Sequence, residues 1–371
     1  MRFPEFKEAW KDSNIGKCFD LYSGNTPSRM EKEHFIGDVN WITSGELKEH
    51  YIGDTKERIS EKAAADNNLR ILPVGTFVMA IYGLEAEGVR GTCSITVKTS
   101  TISQACMAFT PKSNVSNEFL YSWYKKHGNK IGIRYAQGTK QQNLSYDIIE
   151  KFPIRYPSIE EQEKLNTFIS LLDSRIATQN KIIEQLQSLI KGIYDKTFAN
   201  FSKYQTLSAI CKIQKGQQIN GEELSEFGEY YVMNGGIEPS GYYNKYNTMP
   251  NTISISEGGN SCGYIQFNTV PFWSGGHCYT LQGISTEYNT HFVYHYLKSK
   301  EKEIMSLRIG SGLPNIQKKD LEIFPIPELS LETQIRISNG INKIETKLKQ
   351  ALNMLSAYQT QKAYLLRNLF I

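Results

Sequence analysis

The sequence predicts an α+β protein with two β-rich domains separated by two long antiparallel coiled-coil helices, the whole related by an internal pseudo-two-fold duplication. The first observation is a repeat, in which residues Gly138 to Phe198 align with Gly310 to Phe370 at an offset of 172 positions. The second is a heptad pattern of apolar residues late in each copy. The third is a series of short, glycine-punctuated segments rich in Val, Ile, Thr, Tyr and Phe before each heptad region.

The repeat rests on identical residues at a single offset. Asn143 aligns with Asn315, and Gln162 aligns with Gln334. A period of this length is the size of a domain and too long for a solenoid unit. We predict two globular modules and two helices, with bounds of 1–157 and 200–329 for the modules and 158–199 and 330–371 for the helices.

The composition is that of a folded protein with little net charge. The chain has 371 residues, of which 40% are hydrophobic and 12% aromatic, and a formal charge of +4. This charge neither requires nor excludes a nucleic-acid partner. The first residues lack the apolar core of a signal peptide, and no apolar run reaches membrane-spanning length. We therefore expect a cytoplasmic protein that does not bind a membrane. The scattered cysteines, without a C-x-x-C pair, argue against a zinc site or a disulfide framework.

Each long helix has a start signal and an apolar seam. Ser158 and Ser330 stand where a helix N-cap is expected. About 40 helical residues form a rod of roughly 60 Å, and the apolar stripe of such a rod needs a partner. Because the first rod leads to the second module, the second rod must run back, so the two are expected to be antiparallel. The predicted helix-pair core comprises Leu165, Ile169, Leu172, Ile176, Ile183, Leu186, Ile190 and Ile193 with Ile337, Ile341, Ile344, Leu348, Leu355, Tyr358 and Leu365. Gln179 is a polar residue within the first seam, and Lys362 fits the second seam poorly.

The β-rich modules are less regular than the helices. Each is predicted to end in a short helix, over Asn117 to Lys126 and Asn289 to Lys300. The offset rises to about 192 where Gly24 meets Gly216, so insertions and deletions concentrate early in the first copy. A shared scaffold with divergent loops suits recognition of two different targets, and ordinary loop drift after duplication is the alternative.

Sequence motifs for covalent chemistry are absent. We find no phosphate-binding G-x-x-x-x-G-K-[ST] loop, no [DN]-P-P-[YF] of an adenine methyltransferase and no H-E-x-x-H. His291 and His295 are spaced as two metal ligands on one helix face would be, with His277 upstream. The repeat places Phe119 and Trp123 at the first two of these positions, which favours packing, and no metal site is predicted.

Several motifs together resemble one family. They are Trp41 to Glu46 (WITSGE), Leu72 to Met79 (LPVGTFVM), the G-[ST]-x-x-x-N-[LI] turns at Gly138 and Gly310, the doubled F-P-I step, and the S-x-E-x-Q start of each long helix. In this order they resemble the specificity subunit of type I restriction-modification systems. The resemblance covers the whole chain and implies two target recognition domains alternating with two conserved helices.

The resemblance implies binding to double-stranded DNA, for which specificity comes from side chains at base edges and affinity from phosphate contacts. The candidates for base readout are polar residues on glycine-framed loops: Thr26, Ser28, Arg29, Thr43, Ser44, Gln141, Gln142, Gln217, Gln218, Asn220, Asn234, Tyr243, Asn244, Asn260 and Ser311. The candidates for phosphate contact are Lys126, Lys130, Arg134, Lys140, Lys298, Lys302 and Arg308. The recurrence of Lys126 at Lys298 and of Lys130 at Lys302 favours phosphate contact for these four.

Two differing modules predict an asymmetric target in two parts, with an unread gap set by the helix pair. The resemblance also implies two DNA methyltransferase (modification) subunits and two restriction and translocase subunits as partners. S-adenosylmethionine, ATP and Mg²⁺ are then expected on those partners, and no cofactor, metal or catalytic residue is expected on this chain. The alternative is a coiled-coil scaffold or oligomerisation protein without DNA readout.

Overall fold

A computed structural model describes residues 2–85, 88–138, 142–310, 312 and 314–370. The chain forms two compact units. Unit 1 comprises residues 1–178 and 355–371, and unit 2 comprises residues 179–354. Each unit therefore contains one β-rich module and a part of both long helices.

The first module is built from short strands and helices that precede the first long helix. In chain order they are β1 (Lys11–Asn14), α1 (Ile15–Cys18), β2 (Phe19–Ser23), β3 (Val39–Ile42), β4 (Tyr51–Ile52), β5 (Arg58–Ile59), α2 (Glu61–Asp66), β6 (Phe77–Ala80), β7 (Cys93–Thr96), β8 (Ser100–Ile102), β9 (Cys106–Pro111), α3 (Asn117–Tyr135), α4 (Tyr146–Glu150) and β10 (Pro153–Tyr156). Short 3₁₀ turns lie at Lys32–Phe35 and Ser44–Glu46. The first long helix, α5, spans Ile159–Thr197.

The second module repeats this order with fewer insertions. Its elements are β11 (Tyr204–Thr206), α6 (Leu207–Ile210), β12 (Lys212–Lys215), β13 (Tyr230–Met233), β14 (Gly241–Tyr243), β15 (Thr252–Ser256), β16 (Ile265–Asn268), β17 (Trp273–Ser274), β18 (Cys278–Gln282), α7 (Thr290–Ser299), α8 (Glu301–Ser306), α9 (Lys318–Glu322) and β19 (Pro325–Pro327). A 3₁₀ turn lies at Gly221–Glu223. The second long helix, α10, spans Leu331–Leu369.

The two modules share one sheet plan. Among the described residues of unit 1, one sheet has the order β2-β9-β6-β7-β4 and another β5-β3-β8. In unit 2 the corresponding orders are β12-β18-β15-β16 and β14-β13-β17. The pairs β3 with β8 and β13 with β17 are both parallel. In each three-stranded sheet the other edge strand, β5 or β14, is antiparallel to the middle strand. Strand β4 has no counterpart in unit 2 and lies at a sheet edge, so the two copies differ there.

The long helices begin where the capping signals predict. The N–H of Glu161 donates to the hydroxyl of Ser158 at 3.4 Å, and the N–H of Thr333 donates to that of Ser330 at 3.3 Å. The predicted seam residues of both helices are buried or half-buried. An amphipathic helix of this length is stabilised mainly by burying such a stripe.

In unit 1 the first half of α5 packs against the last part of α10. Leu165, Ile169 and Leu172 belong to one buried cluster with Leu365 and Phe370. The Lys362 ammonium pairs with the carboxylate of Asp173, which explains a lysine in an otherwise apolar seam. Because residues early in α5 contact residues late in α10, the pairing is antiparallel, as predicted.

In unit 2 the second half of α5 packs against the first part of α10. The buried Gln179 side chain donates from Nε2 to the carbonyl oxygen of Ala351 at 3.0 Å. Ala351 is the repeat counterpart of Gln179 at offset 172. In an antiparallel pair of two like helices a residue meets its own counterpart at the midpoint, so this bond marks the centre of the pairing.

A buried glutamine joins the start of each long helix to its own module. In unit 1, Gln162 accepts the N–H of Ser116 at 2.9 Å and donates to the carbonyl of Asn114 at 2.8 Å. In unit 2, Gln334 accepts the N–H of Asn289 at 2.9 Å and donates to the carbonyl of Glu287 at 3.0 Å. Both glutamines are fully buried. The S-x-E-x-Q motif therefore fixes how each helix leaves its module.

The short helix predicted over Asn289 to Lys300 is confirmed as α7, whereas the one predicted over Asn117 to Lys126 is longer than expected. Helix α3 continues past Lys126 to Tyr135, whereas in unit 2 the chain forms α7 and then α8. Helix α3 contains Gly128 and Gly132, which weaken a helix intrinsically. An added Cβ at Gly128 would lie 3.1 Å from the Cα of Gly91. These glycines allow close approach of a loop and do not end the helix.

Each unit has its own large core, and the cysteines belong to the interior. Cys18, Cys93 and Cys106 are buried in unit 1, and Cys211, Cys262 and Cys278 are buried in unit 2. All six are free thiols and form no disulfide. Burial raises the pKa of the Cys93 thiol to about 12.

Candidate nucleic-acid interface

In each module a glycine directly follows one sheet strand, β2 or β12, and lies against a neighbouring backbone. At Gly24 an added Cβ would stand 2.0 Å from the carbonyl oxygen of Ile102. At Gly216 it would stand 2.3 Å from the carbonyl oxygen of Ser274, which aligns with Ile102 in the repeat. A larger residue at either position would force the backbone apart, so both copies require glycine here.

An indole then fixes the residue after each glycine. The Trp41 Nε1–H donates to the carbonyl oxygen of Asn25 at 3.2 Å, and the Trp273 Nε1–H donates to that of Gln217 at 2.9 Å. The two tryptophans come from different positions in the repeat. The loop that follows each glycine is therefore held at its base in both units.

The first predicted readout loop of unit 1 carries Thr26, Ser28 and Arg29 beyond Gly24. Thr26 is half-buried, whereas Ser28 and Arg29 are exposed. The Arg29 guanidinium forms two bonds with the Glu57 carboxylate, one of them 2.8 Å long, and lies 4.5 Å from the centre of the Phe35 ring. The bond from Arg29 lowers the pKa of Glu57. A guanidinium forked to a carboxylate has fewer N–H groups free for a guanine edge.

Thr43 and Ser44 occupy the 3₁₀ turn at Ser44–Glu46. The N–H and the hydroxyl of Thr43 both donate to Oε2 of Glu46, at 2.9 and 2.7 Å. Thr43 thus bonds within its own turn, and its contact with a base stays a prediction. Ser44 is half-buried.

Gln142 lies between α3 and α4. Its N–H donates to the Glu85 carboxylate at 2.7 Å, and its side-chain oxygen accepts from Arg90 at 2.8 Å. Arg90 was not among the predicted residues, because it lies in an insertion of the first copy. Lys140, Gln141 and Ser311 lie outside the described residues.

In unit 2 three predicted residues lie around one turn, from Gly275 to His277. The Asn234 Oδ1 accepts the N–H of His277 at 3.0 Å. An added Cβ at Gly275 would stand 2.6 Å from the Asn234 Oδ1, and one at Gly276 would stand 2.3 Å from Oε1 of Gln218. The N–H of the third residue, Gln217, donates to the carbonyl oxygen of Ser274, just before this turn, at 2.8 Å.

The remaining predicted residues of unit 2 are dispersed. The Tyr243 hydroxyl donates to Glu223 at 3.2 Å, and its ring meets Trp273 edge to face. Asn220, Asn244 and Asn260 are exposed on separate loops.

The predicted phosphate contacts divide into two groups. The Lys126 ammonium donates to the carbonyl oxygens of Arg367 (2.8 Å) and Phe370, at the C-terminal end of α10. The Lys298 ammonium donates to the carbonyl of Ile265 at 3.0 Å and pairs with Glu301 at 2.5 Å. Cations favour helix C-terminal carbonyls, so structural bonding explains Lys126. Lys126 and Lys298 thus make internal bonds, and their contact with phosphate stays a prediction.

The second group of cations is exposed. It comprises Lys130, Arg134, Lys302 and Arg308. Since Lys130 and Lys302 share one position in the repeat, they are the lysine pair that remains available to phosphate.

His295 belongs to a buried polar network of unit 2. Its Nδ1 lies 3.0 Å from the Tyr194 hydroxyl, which also bonds Glu345, and its Nε2 lies 2.8 Å from Oδ1 of Asn342. Burial lowers the pKa of His295 to about 4. Burial likewise raises the pKa of Glu345. His295 thus links α7 to both long helices as a neutral group, and the described residues contain no cluster of three or more His, Cys, Asp or Glu able to hold a metal.

Sequence reasoning missed an acid beside the Gly275–His277 turn. Oε1 of Glu257 accepts from the Lys215 ammonium at 2.6 Å and from the Tyr279 hydroxyl at 2.9 Å. Burial, followed by the bond to Glu257, raises the pKa of Tyr279. The sequence signal for Glu257 was the repeat alignment, in which Glu257 aligns with Ile81 after a buried strand.

The family follows from a sequence profile. The profile of the Type I restriction modification DNA specificity domain matches residues 7–188 and again residues 202–354. The chain belongs to this family. Its two matches fall on the two β-rich modules and their helices, so the DNA specificity domain is present twice. Specificity subunits of this family are in general non-catalytic.

Curated relatives agree with this assignment. The chain is 24% identical to the type I restriction enzyme MjaIX specificity subunit of Methanocaldococcus jannaschii, over 86% of this chain and 84% of that protein. It is 36% identical to a putative type I specificity subunit of Mycoplasma pneumoniae, over 41% of each chain.

Solved structures share the fold. The S subunit of a type I restriction-modification system from M. genitalium superposes with a TM-score of 0.71 at 20% identity, covering 100% of this chain and 99% of that one. A chain from a study of complex assembly and conformational transition in the type I R-M system gives 0.60 at 14% identity, covering 98% and 97%. The predicted architecture of two recognition domains and long antiparallel helices is confirmed. None of the described helices is long and apolar enough to cross a membrane.

Proposed function

We propose that this specificity subunit reads an asymmetric DNA target in two parts, with one unit for each half-site. The observation that supports this most strongly is the shared sheet plan with different loops. Both units turn at an equivalent glycine, Gly24 or Gly216, and then present unrelated polar residues. Loops on a constant scaffold are where recognition residues change most readily.

The polar groups beyond these glycines suit the edges of bases in the major groove. Arg pairs with guanine, and Asn or Gln pairs with adenine. Unit 1 offers Arg29 through the N–H groups that its two bonds to Glu57 leave free, whereas unit 2 offers Gln217, Gln218 and Asn234. Because the two sets differ, the two half-sites should differ as well.

Phosphate contacts would position each unit on the duplex. Lys130 and Lys302 are exposed at the same place in the two copies. Each neutralised phosphate steepens the salt dependence of binding, with a slope of about −0.9 per contact.

The helix pair would set the unread gap between half-sites. Helices α5 and α10 are each continuous over 39 residues and carry the heptad seam. Inserting seven residues after Gln179 and seven after Ala351 preserves the heptad and adds ~10 Å, about the rise of three base pairs. The gap should lengthen while both half-sites stay the same, and an unchanged gap would contradict the ruler role.

Two modification subunits, which would methylate adenine, are the proposed partners on the helices. Ile159 and Leu331 are exposed at one position of the repeat, and Ile182 and Met354 are exposed at another. Two equivalent apolar sites suit two copies of one partner. S-adenosylmethionine would bind those subunits, and ATP and Mg²⁺ would act with two restriction subunits, leaving this chain without cofactor or catalytic residue.

Profiling of adenine methylation in the host genome, with and without this gene, tests the function. We expect one two-part motif to lose methylation on deletion and to regain it on complementation. A coiled-coil scaffold without DNA readout would leave the methylated motifs unchanged, and that result would refute the proposal.

A further inference from the structure

A glycine-walled depression on unit 2 has charged and amide side chains around it. Lys215, Asn234, Glu257, His277 and Asn315 line it together with glycines from the turns after β13 and β15. Two of the predicted readout residues, Gln217 and Gln218, lie at the adjoining Gly275–His277 turn. The depression therefore belongs to the same loop cluster as the proposed base contacts of this unit.

Glu257 is the group in this depression whose bonding is incomplete. The residue is only 9% exposed. Its Oε1 accepts from Lys215 and Tyr279, whereas its Oε2 accepts no hydrogen bond from the described residues and lies 3.5 Å from Nδ1 of His277. A buried carboxylate oxygen without a hydrogen bond destabilises the fold, and a bound donor would remove that cost.

The fold itself does not require this acid. In unit 1 the aligned position at the end of β6 is Ile81, which is buried at 3% exposure. The positions aligned with His277 and Tyr279 are Ala105 and Met107. One copy of the scaffold thus folds with an apolar residue where the other buries a carboxylate, so the acid in unit 2 points to a function of that unit.

We propose that Glu257 is a specificity-determining residue of the unit 2 half-site and accepts a hydrogen bond from the exocyclic amino group of a base. An ionised carboxylate has acceptors only, and in the major groove adenine and cytosine present an amino donor where guanine and thymine present a carbonyl acceptor. Glu257 therefore selects adenine or cytosine on the strand it contacts. This inference rests on the proposed function of unit 2 in reading DNA.

The test is selection of bound duplexes from a randomised double-stranded DNA library by the complex of this chain with its modification subunits. In Glu257→Gln the side-chain oxygen still accepts from Lys215 and Tyr279, but an amide N–H₂ donor replaces Oε2. We expect one position of one half-site to change from adenine or cytosine to guanine or thymine on the contacted strand, by on the order of tenfold to hundredfold. The other half-site should be unchanged.

Two further variants guard against a loss of folding. Glu257→Asp keeps an acceptor and should keep the preference for an amino-bearing base, although more weakly. Glu226→Gln alters an exposed acid of the same unit and should leave the motif unchanged. If Glu257→Gln selects the wild-type motif, or if Glu257→Asp selects guanine or thymine, the inference is overturned. If the wild-type complex selects no motif, the proposed function itself fails.

Discussion

Replacing Gln334 by alanine should loosen the second long helix from its module. The side chain is fully buried and makes three hydrogen bonds. Its Oε1 accepts the N–H of Asn289 at 2.9 Å, and its Nε2 donates to the carbonyls of Glu287 at 3.0 Å and Leu329 at 2.9 Å. Alanine removes the buried side chain and leaves all three backbone groups without this partner.

The size of the effect follows from these bonds. Each hydrogen bond contributes about 1 kcal/mol net, and a buried group left unpaired costs more. The loss in the free energy of unfolding of unit 2 should therefore be at least ~3 kcal/mol. For a unit of this size that corresponds to a fall in Tm of roughly 6 to 12 °C.

Thermal and urea unfolding of the purified chain would measure the change. Amide hydrogen exchange at the start of α7, where Asn289 is the N-cap, would locate it. Gln350→Ala on the exposed face of the same helix is the matched control and should change stability by less than ~0.5 kcal/mol. If Gln334→Ala were no more destabilising than Gln350→Ala, the role assigned to the buried glutamine would be refuted.

Three other predictions concern single side chains. The pKa of His295 in the folded state is lowered to about 4, so the unfolded state binds more protons than the folded state below about pH 6.5. The free energy of unfolding of unit 2 should therefore fall by about 3 kcal/mol as the pH drops from about 6.5 to about 4. His295→Phe should remove this part of the pH profile, and an unchanged profile would refute the assignment. Lys126→Met should lower the stability of unit 1 and leave the salt slope of DNA binding unchanged, whereas Lys130→Met should reduce that slope by about 1; the opposite pattern would reverse the two roles. Gln179→Leu should raise the free energy of unfolding by about 1 kcal/mol, because a polar residue in a coiled-coil seam specifies register at some loss of stability; destabilisation in urea unfolding would show that the bond to Ala351 matters more.

The proportion of the structure that the sequence predicted differs between the helices and the site. The start and direction of the long helices agree with the capping and heptad signals, since a heptad seam requires only local periodicity and one partner. For the site, the alignment of Gly24 with Gly216 located two glycines that both lie against a neighbouring backbone. It did not reveal that Thr43 caps its own turn or that Arg29 is paired with Glu57, because those partners are set by how the loops fold back.

Lys126 shows the same limit of prediction from sequence. Its recurrence as Lys298 suggested a shared phosphate contact, yet the two side chains make different internal bonds. The partner of Lys126 is the end of α10, 244 residues away at Phe370. A basic residue that recurs in a repeat can thus be bonded within the fold, and only the partners of its ammonium group distinguish the two cases.

By itself the sequence determined the duplication, the two long helices with their register, the doubled glycine turns and the family. Those features are written in identities at a fixed offset and in a period of apolar residues, which need no knowledge of distant contacts. Only the tertiary structure decided that Gln162 and Gln334 bond the helices to their modules and that Lys362 pairs with Asp173. It also decided that Glu257 is buried with one oxygen that accepts no hydrogen bond from the described part of the chain. Each of these depends on contacts between atoms of residues that are far apart in the sequence, and the local sequence does not predict such contacts.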